Sequence, residues 1–458
     1  MAINLRKTAA NMLLNIEKNG AYINIEMNKL RNEASHNEKD IRLVGEIVNG
    51  VIKRKLTLDY VISLHSSTKL KKISPYVLNV LRIGVYQLLF MDKIPPNAAV
   101  DECVKAIKKS SVSRLSGYVN AVLRAVKKED ILNLSDNTCE ALSVKHSYPL
   151  WLVKRWEREF GLDFTKELLY SLNKKSPLYV RCNTLVNSIE EFKESLNNAG
   201  IEYEEVKIEN FKDYNYSFKL SNIKDISRVP GFGDGSFYIQ DPAASLAAYL
   251  LEPKEDDFII DLCAAPGGKS LFLADLINNK GKIVSCDIFE HKLKLISENA
   301  KKCKASSVEP TLNDASVLKE DWINTADRVL CDVPCSGFGI IRKKPDIKYA
   351  RKEEDIKALS DLSLAILENG AKYLKDNGVL VFSTCTIEKE ENEDVINKFL
   401  ENHSEFSIYP FGDNDENKDG FYTSYPNITD TDGFFICRLR KAASPPAFGG
   451  SGEQYRFS

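Results

Sequence analysis

The fold of this 458-residue chain is decided by the stretch Phe258-Ile-Ile-Asp-Leu-Cys-Ala-Ala-Pro-Gly-Gly-Lys269. The apolar run Phe258–Leu262 predicts a buried strand, and the segment that begins at Ser270 predicts a helix. Gly267 and Gly268 permit a sharp turn and a close approach of the backbone to a ligand. The free N–H groups of the helix N-terminus face the crevice at the carboxyl end of the strand. The stretch therefore predicts a site for a nucleotide-like ligand.

The spacing of the glycines excludes two common nucleotide-binding loops. A phosphate-binding Walker loop requires a glycine five residues before Gly268, where Cys263 stands. A dinucleotide fingerprint requires the pattern G-x-G-x-x-G, whereas only Gly267 and Gly268 are present here. The loop is therefore typical of neither an ATPase nor an NAD-dependent dehydrogenase.

Composition predicts a globular cytoplasmic protein of about three domains. Hydrophobic residues make up 43% of the chain and charged residues 28%. No apolar run approaches the ~18 residues of a membrane span, and the N-terminus lacks the apolar region of a signal peptide. The ten cysteines form no C-x-x-C pair and there are only five histidines, which argues against a zinc site and against a disulfide framework. We therefore expect no metal and no membrane partner.

Positive charge is concentrated in the first part of the chain. Residues 1–150 hold 23 Lys and Arg against 14 Asp and Glu, a net charge of +9, and the remainder has a net charge of −11. This asymmetry favours an anionic partner for the N-terminal part. The alternative is a solvated helical surface without a partner.

The first 145 residues predict an all-α domain, because apolar residues recur at helical spacing. The clearest series are Leu5, Ala9, Met12, Leu13 and Ile16, and Val77, Leu78, Leu81, Val85, Leu88 and Leu89. Part of the positive charge lies in four clusters, which are Lys53-Arg54-Lys55, Lys71-Lys72, Lys108-Lys109 and Lys127-Lys128. Each cluster alone is a weak signal, since such residues are usually only solvated.

The period of the pattern changes after Ser176. Residues 146–235 predict connecting helices and then a small α+β module, in which strand-like segments flank the helical run Ile189–Ala199. Residues 236–441 alternate strands and helices, which predicts a parallel sheet with helices on both faces. The strand candidates are Phe258–Leu262, Lys282–Cys286, Arg328–Cys331, Val379–Phe382 and an edge at Gly433–Leu439. Composition predicts a flexible tail over residues 442–458.

Two acidic residues stand where an adenosine ligand needs acceptors. Asp287 ends the second strand of the α/β domain and can accept hydrogen bonds from both hydroxyls of a ribose. Asp314 follows the third strand and can face the amino group of adenine. Either residue alone could be an ordinary surface carboxylate, but their positions at strand ends favour the ligand.

Two cysteines follow the ends of the fourth and fifth strands, in Asp332-Val-Pro-Cys-Ser-Gly337 and Phe382-Ser-Thr-Cys-Thr386. Adjacent strands of a doubly wound sheet project both loops into one crevice. We therefore expect Cys335 and Cys385 to lie near each other, near Asp332 and near the glycine loop. A single cysteine at a strand end is usually inert, whereas two beside an acid are typical of a reactive site.

Three motifs resemble one enzyme family. The string Asp261-x-Cys-Ala-Ala-Pro-Gly-Gly-Lys269 resembles motif I of the S-adenosylmethionine-dependent RNA cytosine-C5 methyltransferases. Asp-x-Pro-Cys at 332–335 and Thr-Cys at 384–385 resemble motifs IV and VI of the Sun/Fmu family. The departures are mild, because Val333 is often Ala in the family and Tyr349 is often Trp, and neither change removes a reactive group.

The resemblance extends to the rest of the chain. Ile94–Glu102 and Gly117–Arg124 resemble a NusB-like RNA-binding bundle. Residues 146–235 resemble the RRM-like extension that precedes the catalytic domain, in which Arg181 and Asn183 fall in the phrase V-R-x-N. Arg181 either contacts RNA or stabilises the fold, and the sequence does not separate these interpretations.

The resemblance implies a Rossmann-like class I methyltransferase domain that transfers a methyl group from S-adenosylmethionine to carbon 5 of a cytosine in 16S ribosomal RNA. In that family Cys385 is the nucleophile, Cys335 assists product release and Asp332 contacts the reacting base. The cofactor site implied by the resemblance comprises Cys263, Ala264, Ala265, Pro266, Gly267, Gly268, Lys269, Asp287, Asp314 and Asp332. We expect a monomer whose partner is 16S ribosomal RNA before or during assembly.

Two other functions remain open at this point. A transfer-RNA methyltransferase of the same chemistry would carry the same motifs, so that only assays with each RNA discriminate. A non-catalytic RNA-binding or antitermination protein explains the N-terminal bundle but leaves the two strand-end cysteines without a role.

Overall fold

The computed structural model describes residues 4–19, 23–32, 37–411 and 420–443. The chain divides into two compact units. The first comprises Met1–Ser176 and Ile340–Glu353, and the second comprises Pro177–Gly339 and Glu354–Ser458. No helix in the described ranges is long and apolar enough to span a membrane.

The first unit is helical. In the described residues up to 176 its helices are α1 (Leu5–Asn19), α2 (Ile23–Asn32), α3 (Glu38–Lys53), α4 (Lys55–His65), α5 (Pro75–Phe90), α6 (Pro96–Lys108), α7 (Ser116–Ala125), α8 (Glu129–Leu132), α9 (Cys139–His146), α10 (Leu150–Phe160) and α11 (Leu162–Leu172). Asn37 caps α3, since its side chain accepts a hydrogen bond from the backbone N–H of Asp40. Pro75 and Pro96 stand in the first turns of α5 and α6, where no intrahelical N–H is required.

Helix α5 is central to this unit and packs against α1, α3, α4, α6 and α7. Its buried Arg82 is compensated by acids, because the guanidinium donates to both carboxylate oxygens of Asp59 at 2.6 and 2.8 Å and to Glu17 at 2.7 Å. A buried charge is tolerated only when it is paired in this way.

The second unit begins with a small antiparallel sheet. Its elements are β1 (Leu178–Cys182), α12 (Ile189–Asn198), β2 (Tyr203–Glu205), β3 (Ser217–Leu220) and β4 (Phe237–Ile239), and the strand order is β2-β3-β1-β4. Helix α12 begins with a capping box between Ser188 and Glu191. Phe192 of α12 packs on Phe218 and Phe237 of the sheet.

A larger, mostly parallel sheet follows. The described residues after 240 form α13 (Pro242–Tyr249), β5 (Phe258–Asp261), α14 (Gly268–Leu276), β6 (Lys282–Asp287), α15 (Glu290–Lys302), β7 (Val308–Leu312), β8 (Ala326–Asp332), α16 (Ile347–Ala350), α17 (Glu353–Tyr373), β9 (Leu374–Thr384), α18 (Glu393–Asn402), β10 (Phe406–Ile408), β11 (Phe421–Ser424), α19 (Pro426–Thr429) and β12 (Phe434–Lys441). The strand order is β10-β12-β9-β8-β5-β6-β7, and β11 pairs with β12.

The order of this sheet creates a crevice. Strands β5 to β9 are parallel, and β12 runs antiparallel to β9. The chain proceeds from β5 to β6 and β7 on one side, and then to β8 and β9 on the other side of β5. Ligands of open α/β sheets bind at such a reversal, beyond the carboxyl ends of the strands. Apolar residues fill both faces of the sheet.

The segment Ile340–Glu353 follows Gly339 in the chain but belongs to the helical unit. Lys348, the second residue of α16, is fully buried there and donates a 2.8 Å hydrogen bond to the carbonyl of Lys53. The hydroxyl of Tyr349 lies 2.8 Å from the hydroxyl of Ser147 and donates to its carbonyl at 2.9 Å. No pattern in the sequence predicts that this segment belongs to the helical unit.

The predicted fold class is confirmed: an all-α N-terminal part, a small α+β module and an α/β domain follow one another. The predicted domain boundaries at 145, 235 and 441 stay a prediction. Strand β4 completes the small sheet and so lies just beyond residue 235. The predicted tail, 442–458, lies outside the described residues from residue 444 onward.

Arg181 stabilises the second unit from within. It is 1% exposed, and its guanidinium contacts the carboxylate of Asp275 in α14 at 3.2 Å, the side chain of Gln240 at 2.8 Å and the ring of Phe272 at 4.3 Å. Asp275 is also buried and accepts from the backbone and hydroxyl of Thr184. The structural interpretation of Arg181 is therefore confirmed, and an RNA contact by this buried side chain is excluded.

Replacing Arg181 by Ala should lower the free energy of unfolding by about 3–5 kcal/mol, because it leaves the carboxylate of Asp275 buried without its counterion. Urea titration followed by circular dichroism measures this change. Lys193→Ala, which breaks the exposed pair between Lys193 and Glu205, should change it by about 1 kcal/mol or less. Equal effects of the two substitutions would contradict the importance of the buried pair.

Candidate functional site

The glycine loop between β5 and α14 has the geometry that its sequence predicts. Gly267 has a φ of 103°, a conformation that side chains oppose. A Cβ on Gly268 would lie 2.9 Å from the ring of Tyr238, so that only glycine fits. The loop is anchored by the N–H of Ala264, which donates to the carbonyl of Cys286 at 2.7 Å. Helix α14 starts at Gly268 and presents its unpaired N–H groups at the crevice.

Asp261, at the end of β5, is a buried acid beneath this loop. It accepts a 2.6 Å hydrogen bond from the hydroxyl of Ser270, which in turn accepts one from Ser285. Burial, with a smaller contribution from Asp332, raises the pKa of Asp261 to about 7. The sequence identified Asp261 only as the first residue of a motif, and the hydroxyl chain beneath it was not predicted.

Asp287 and Asp314 lie at the ends of the neighbouring strands. The side chain of Asp287 is 7% exposed and accepts from the N–H of Phe289 at 3.0 Å, and the ammonium of Lys292 lies at 3.3 Å. Asp314 is exposed, and one of its oxygens accepts from the N–H and the hydroxyl of Ser316 at 3.0 and 2.6 Å. Each carboxylate can accept further hydrogen bonds.

An open cavity of about 480 Å³ lies at the ends of β6 and β7. It is lined by Ile288, Leu312, Asn313, Asp314, Val317, Leu318 and Lys319. Ile288, Leu312 and Val317 are each about half exposed or more, which is unusual for large apolar side chains. The Nδ2 of Asn313 is buried and has no hydrogen-bond partner among the described residues. Apolar walls with unsatisfied polar atoms fit a flat, heteroatom-rich ring such as a purine.

The two cysteines of the strand-end loops are in contact. Their sulfur atoms, Sγ of Cys335 and Sγ of Cys385, lie 3.2 Å apart. Cys335 is 7% exposed and Cys385 is more accessible. The N–H of Gly339 donates to the carbonyl of Cys385 at 3.0 Å, which ties the two loops together. The structure thus brings together the pair that the sequence predicted.

The two thiols have different surroundings. The hydrogen bond to Cys385, burial and the nearby carboxylate of Glu391 raise the pKa of Cys335 well above its ordinary value. Cys335 therefore keeps its proton at neutral pH and can donate it toward Cys385. Cys263, in the glycine loop, is also buried, and burial raises its pKa well above the ordinary value. Cys263 is therefore a poor candidate for a nucleophile.

Asp332, at the end of β8, is held by residues from two neighbouring elements. The ammonium of Lys269 contacts one of its oxygens at 2.6 Å, and the hydroxyl of Ser383 in β9 donates to the other at 2.9 Å. About a quarter of the Asp332 side chain remains exposed. The resemblance placed Lys269 and Asp332 in one site, whereas the contact of Asp332 with Ser383 was not predicted.

The four basic clusters of the helical unit differ in their environments. The residues of the first cluster have partners within the unit. Lys53 donates to the carbonyl of Lys174, Arg54 donates to the carbonyl of Lys145, and Lys55 forms an ion pair with Glu17. The exposed pairs are Lys71-Lys72, Lys108-Lys109 and Lys127-Lys128. Only these three pairs present their charge mainly to solvent.

No group of three or more His, Cys, Asp or Glu residues in the part of the chain that the structure describes could hold a metal ion.

Comparison of the sequence with known families gives three matches. Residues 248–440 match the family described as 16S rRNA methyltransferase RsmB/F. Residues 3–128 match the NusB family, and residues 148–210 match the ferredoxin-like domain of the RsmF/B-like methyltransferases. The three matches follow the order of the helical part, the small sheet and the large sheet.

Full-length relatives agree with these matches. The probable ribosomal RNA small subunit methyltransferase B of Bacillus subtilis is 33% identical over 454 residues, which cover 95% of this chain and 98% of that protein. The solved structure of PH0851 is 27% identical, covers 96% of this chain and 100% of its own, and superposes with a TM-score of 0.78. A methyltransferase homolog protein from Pyrococcus horikoshii is 28% identical, covers 67% and 99%, and gives a TM-score of 0.59.

Because the sulfur atoms of Cys335 and Cys385 are in contact, a reagent that bonds to two thiols should react with both of them. Phenylarsine oxide bonds to two thiols at once, so that one equivalent should attach to the protein and protect Cys335 and Cys385 from alkylation together. Peptide mass spectrometry after alkylation measures this protection. Replacing either cysteine by Ala should abolish it, whereas Cys139→Ala, at a cysteine outside this site, should not. Protection that survives in Cys385→Ala would contradict the contact.

Proposed function

Because this chain belongs to the ribosomal RNA small subunit methyltransferase B family, we propose that it methylates carbon 5 of a cytosine in 16S ribosomal RNA through a covalent bond from Cys385. The observation that carries the proposal is the pair of thiols 3.2 Å apart, one of them in the loop that follows Asp332, whose carboxylate contacts Lys269 of the glycine loop. Acyl or phosphoryl transfer would not need a second thiol.

S-adenosylmethionine supplies, when bound, a methyl group on a positively charged sulfur. The residues of the crevice fit this molecule. Asp287 would accept from the ribose hydroxyls, and Asp314, which lines the cavity, would accept from the adenine amino group. The loop Cys263–Lys269 and Asp332 would hold the amino-acid end, because that end needs backbone donors for its carboxylate and an acid for its ammonium.

A thiol is required because carbon 5 of cytosine is too weak a nucleophile to take a methyl group unaided. Addition of a thiolate at carbon 6 makes carbon 5 resemble the nucleophilic carbon of an enamine. A free thiol with a pKa of ~8.5 is only a few per cent ionised at neutral pH, so the site must favour the anion. The thiol of Cys335, which keeps its proton, can donate a hydrogen bond to the sulfur of Cys385 at 3.2 Å.

Asp332 assists the attack from the other side of the base. A carboxyl group that shares a proton with N3 and accepts from the N4 amino group stabilises the adduct as electrons move toward N3. Lys269 and Ser383 fix Asp332 for this contact, and its exposed fraction leaves room for the base edge. The base must leave its stack to reach the site, so an unpaired cytosine is the preferred substrate.

Release of the product reverses the roles of the two thiols. After methyl transfer carbon 5 still holds its hydrogen, which must leave as a proton before the bond between carbon 6 and Cys385 can break. Bond formation has by then converted the Cys385 thiolate into a neutral thioether, which removes a partner that raised the pKa of Cys335. Cys335 can then lose its proton to water and accept the one from carbon 5. Electrons from that C–H bond restore the ring double bond and expel Cys385 as a thiolate.

The helical unit contributes binding to the RNA backbone. Its net positive charge and its three exposed lysine pairs offer contacts for phosphates, whereas residues 151–458 have a net charge of −11.

Changing each exposed lysine pair to Gln should weaken binding to 16S ribosomal RNA and reduce the slope of log K against log salt by about 1–2. The slope falls because binding releases fewer counterions from the RNA when phosphate contacts are lost. Filter binding or fluorescence anisotropy at several salt concentrations measures the slope. The double variant Lys224→Gln/Lys254→Gln, at exposed lysines of the second unit, is the matched control. An unchanged slope in all three pair variants would remove the helical unit as the RNA anchor.

Asp287→Ala should weaken binding of S-adenosylmethionine roughly ten- to hundredfold, since loss of a paired acceptor for the ribose costs about 1–3 kcal/mol. Isothermal titration calorimetry gives the dissociation constants. Asp321→Ala removes an exposed carboxylate elsewhere in the same unit and should bind normally. Unchanged affinity in Asp287→Ala would place this residue outside the cofactor site.

Wild-type protein incubated with unassembled 16S ribosomal RNA and S-adenosylmethionine should form 5-methylcytosine, detected by nucleoside mass spectrometry. Cys385→Ala should form neither product nor adduct, because the attacking thiol is absent. Cys335→Ala should attack and transfer the methyl group but release slowly, so that a denaturant-resistant protein–RNA band accumulates.

A denaturing gel of both variants therefore separates the two cysteines. A band with Cys385→Ala and none with Cys335→Ala would reverse the roles. A wild-type protein that methylates transfer RNA but not 16S ribosomal RNA would overturn the proposed substrate while leaving the chemistry in place.

A further inference from the structure

A buried carboxylate lies behind the cysteine pair. Glu391 stands in the short turn before α18, six residues after Cys385, and its side chain has no exposed surface. The motifs of the sequence assign it no role, since it is one of several acids in a run that begins at Glu388.

Glu391 binds the residue that follows Cys335. Its Oε1 accepts from the backbone N–H of Ser336 at 2.7 Å, and its Oε2 accepts from the hydroxyl of Ser336 at 2.5 Å. Ser336 is also fully buried, and its hydroxyl lies 2.8 Å from that of Thr386, which follows Cys385. One carboxylate thus engages both polar groups of Ser336 and connects the loop of Cys335 to the loop of Cys385.

The turn that contains Glu391 is itself fixed. The carbonyl of Glu390 accepts from the hydroxyl of Ser360 in α17 at 2.6 Å. The side chain of Asn392 accepts from the hydroxyl of Thr384 at 2.6 Å and donates to the carbonyl of Thr386 at 3.2 Å. Glu391 therefore has a rigid support, which a positioning side chain needs.

We propose that Glu391 is a positioning residue, which through Ser336 holds Cys335 in contact with Cys385 and keeps a negative charge beside it. The proposal rests on the function proposed above and deepens it. Glu391 acts through Ser336. A buried carboxylate is costly unless it is compensated, so its placement here favours a requirement of the site over chance.

The charge has a second effect. The carboxylate is one of the causes that raise the pKa of Cys335, after the contact with Cys385 and burial. It therefore helps to keep the proton on Cys335 until Cys385 has reacted. An uncharged side chain that only braced the loop would fix the distance but would not add this direct effect of a charge on the pKa of Cys335.

Two substitutions separate position from charge. Glu391→Gln keeps the size and one acceptor for the N–H of Ser336 but removes the charge. Glu391→Ala removes both. Glu390→Gln, which changes the charge at the exposed neighbouring position, is the matched control, and thermal melting identifies any variant that is not folded.

The first readout is thiol chemistry and needs neither RNA nor methyl transfer. Simultaneous protection by phenylarsine oxide should persist in Glu391→Gln and be lost in folded Glu391→Ala. The pH midpoint for alkylation of Cys335 should fall in Glu391→Gln and stay unchanged in Glu390→Gln. An unchanged midpoint in Glu391→Gln, or full protection in folded Glu391→Ala, would overturn the proposal. If Glu391→Ala is unfolded, Ser336→Ala takes its place, because it removes the hydroxyl contact alone and should weaken the protection.

The second readout is methylation of 16S ribosomal RNA. The kcat of Glu391→Ala should fall about 10²-fold, as expected when reacting groups are misplaced, with the KM for RNA and the affinity for S-adenosylmethionine unchanged. A variant with normal kcat would overturn the positioning role. If the wild-type protein methylates no RNA, the thiol readouts still decide the role of Glu391, and only the proposed function fails.

Discussion

The parallel pairing of β8 with both β5 and β9 is the constraint on which the site depends. In this register Asp332 pairs with Ser383 across β8 and β9, and Asp261 pairs with Leu330 across β5 and β8. The three strands therefore end side by side, and the loops that follow them share one crevice. A register shift of one residue would turn the side chains of an entire strand to the opposite face and separate Asp332 from Lys269 and Ser383.

Polar groups beneath this crevice are linked in a chain of buried contacts. Arg181 joins the small sheet to α14 through Asp275, and Asp261 joins β5 to the same helix through Ser270. Glu391 connects the loops after β8 and β9. Arg181 and Glu391 are costly to bury, and each is compensated by hydrogen-bond partners from other elements. These buried contacts thus fix the ligand loop and the loops of the two cysteines. The cavity and Cys385 stay accessible.

Much of this arrangement follows from the sequence. The apolar runs predicted β5, β6, β8 and β9 within a few residues, because buried parallel strands have an unmistakable pattern, and the strand-end positions predicted the contact of Cys335 with Cys385. The contacts of Glu391 and Ser383 and the buried amide of Asn313 were not predicted, since polar residues at strand ends and in loops have no periodicity that marks them as buried. The membership of Ile340–Glu353 in the helical unit was also missed, because Lys348 and Tyr349 find partners about 200 to 300 positions away in the sequence.

The central claim, that Cys385 is the thiol that bonds to cytosine, is tested most directly with RNA that contains 5-fluorocytidine. In this RNA fluorine replaces the hydrogen on carbon 5. The proton that must leave before release is therefore absent, and the adduct cannot be released after methyl transfer. Wild-type protein, S-adenosylmethionine and this RNA are incubated, digested with protease and nuclease, and examined by mass spectrometry. The account predicts a methylated fluorocytosine on the peptide that contains Cys385. An adduct on Cys335, or no adduct from a preparation that methylates ordinary RNA, would contradict it.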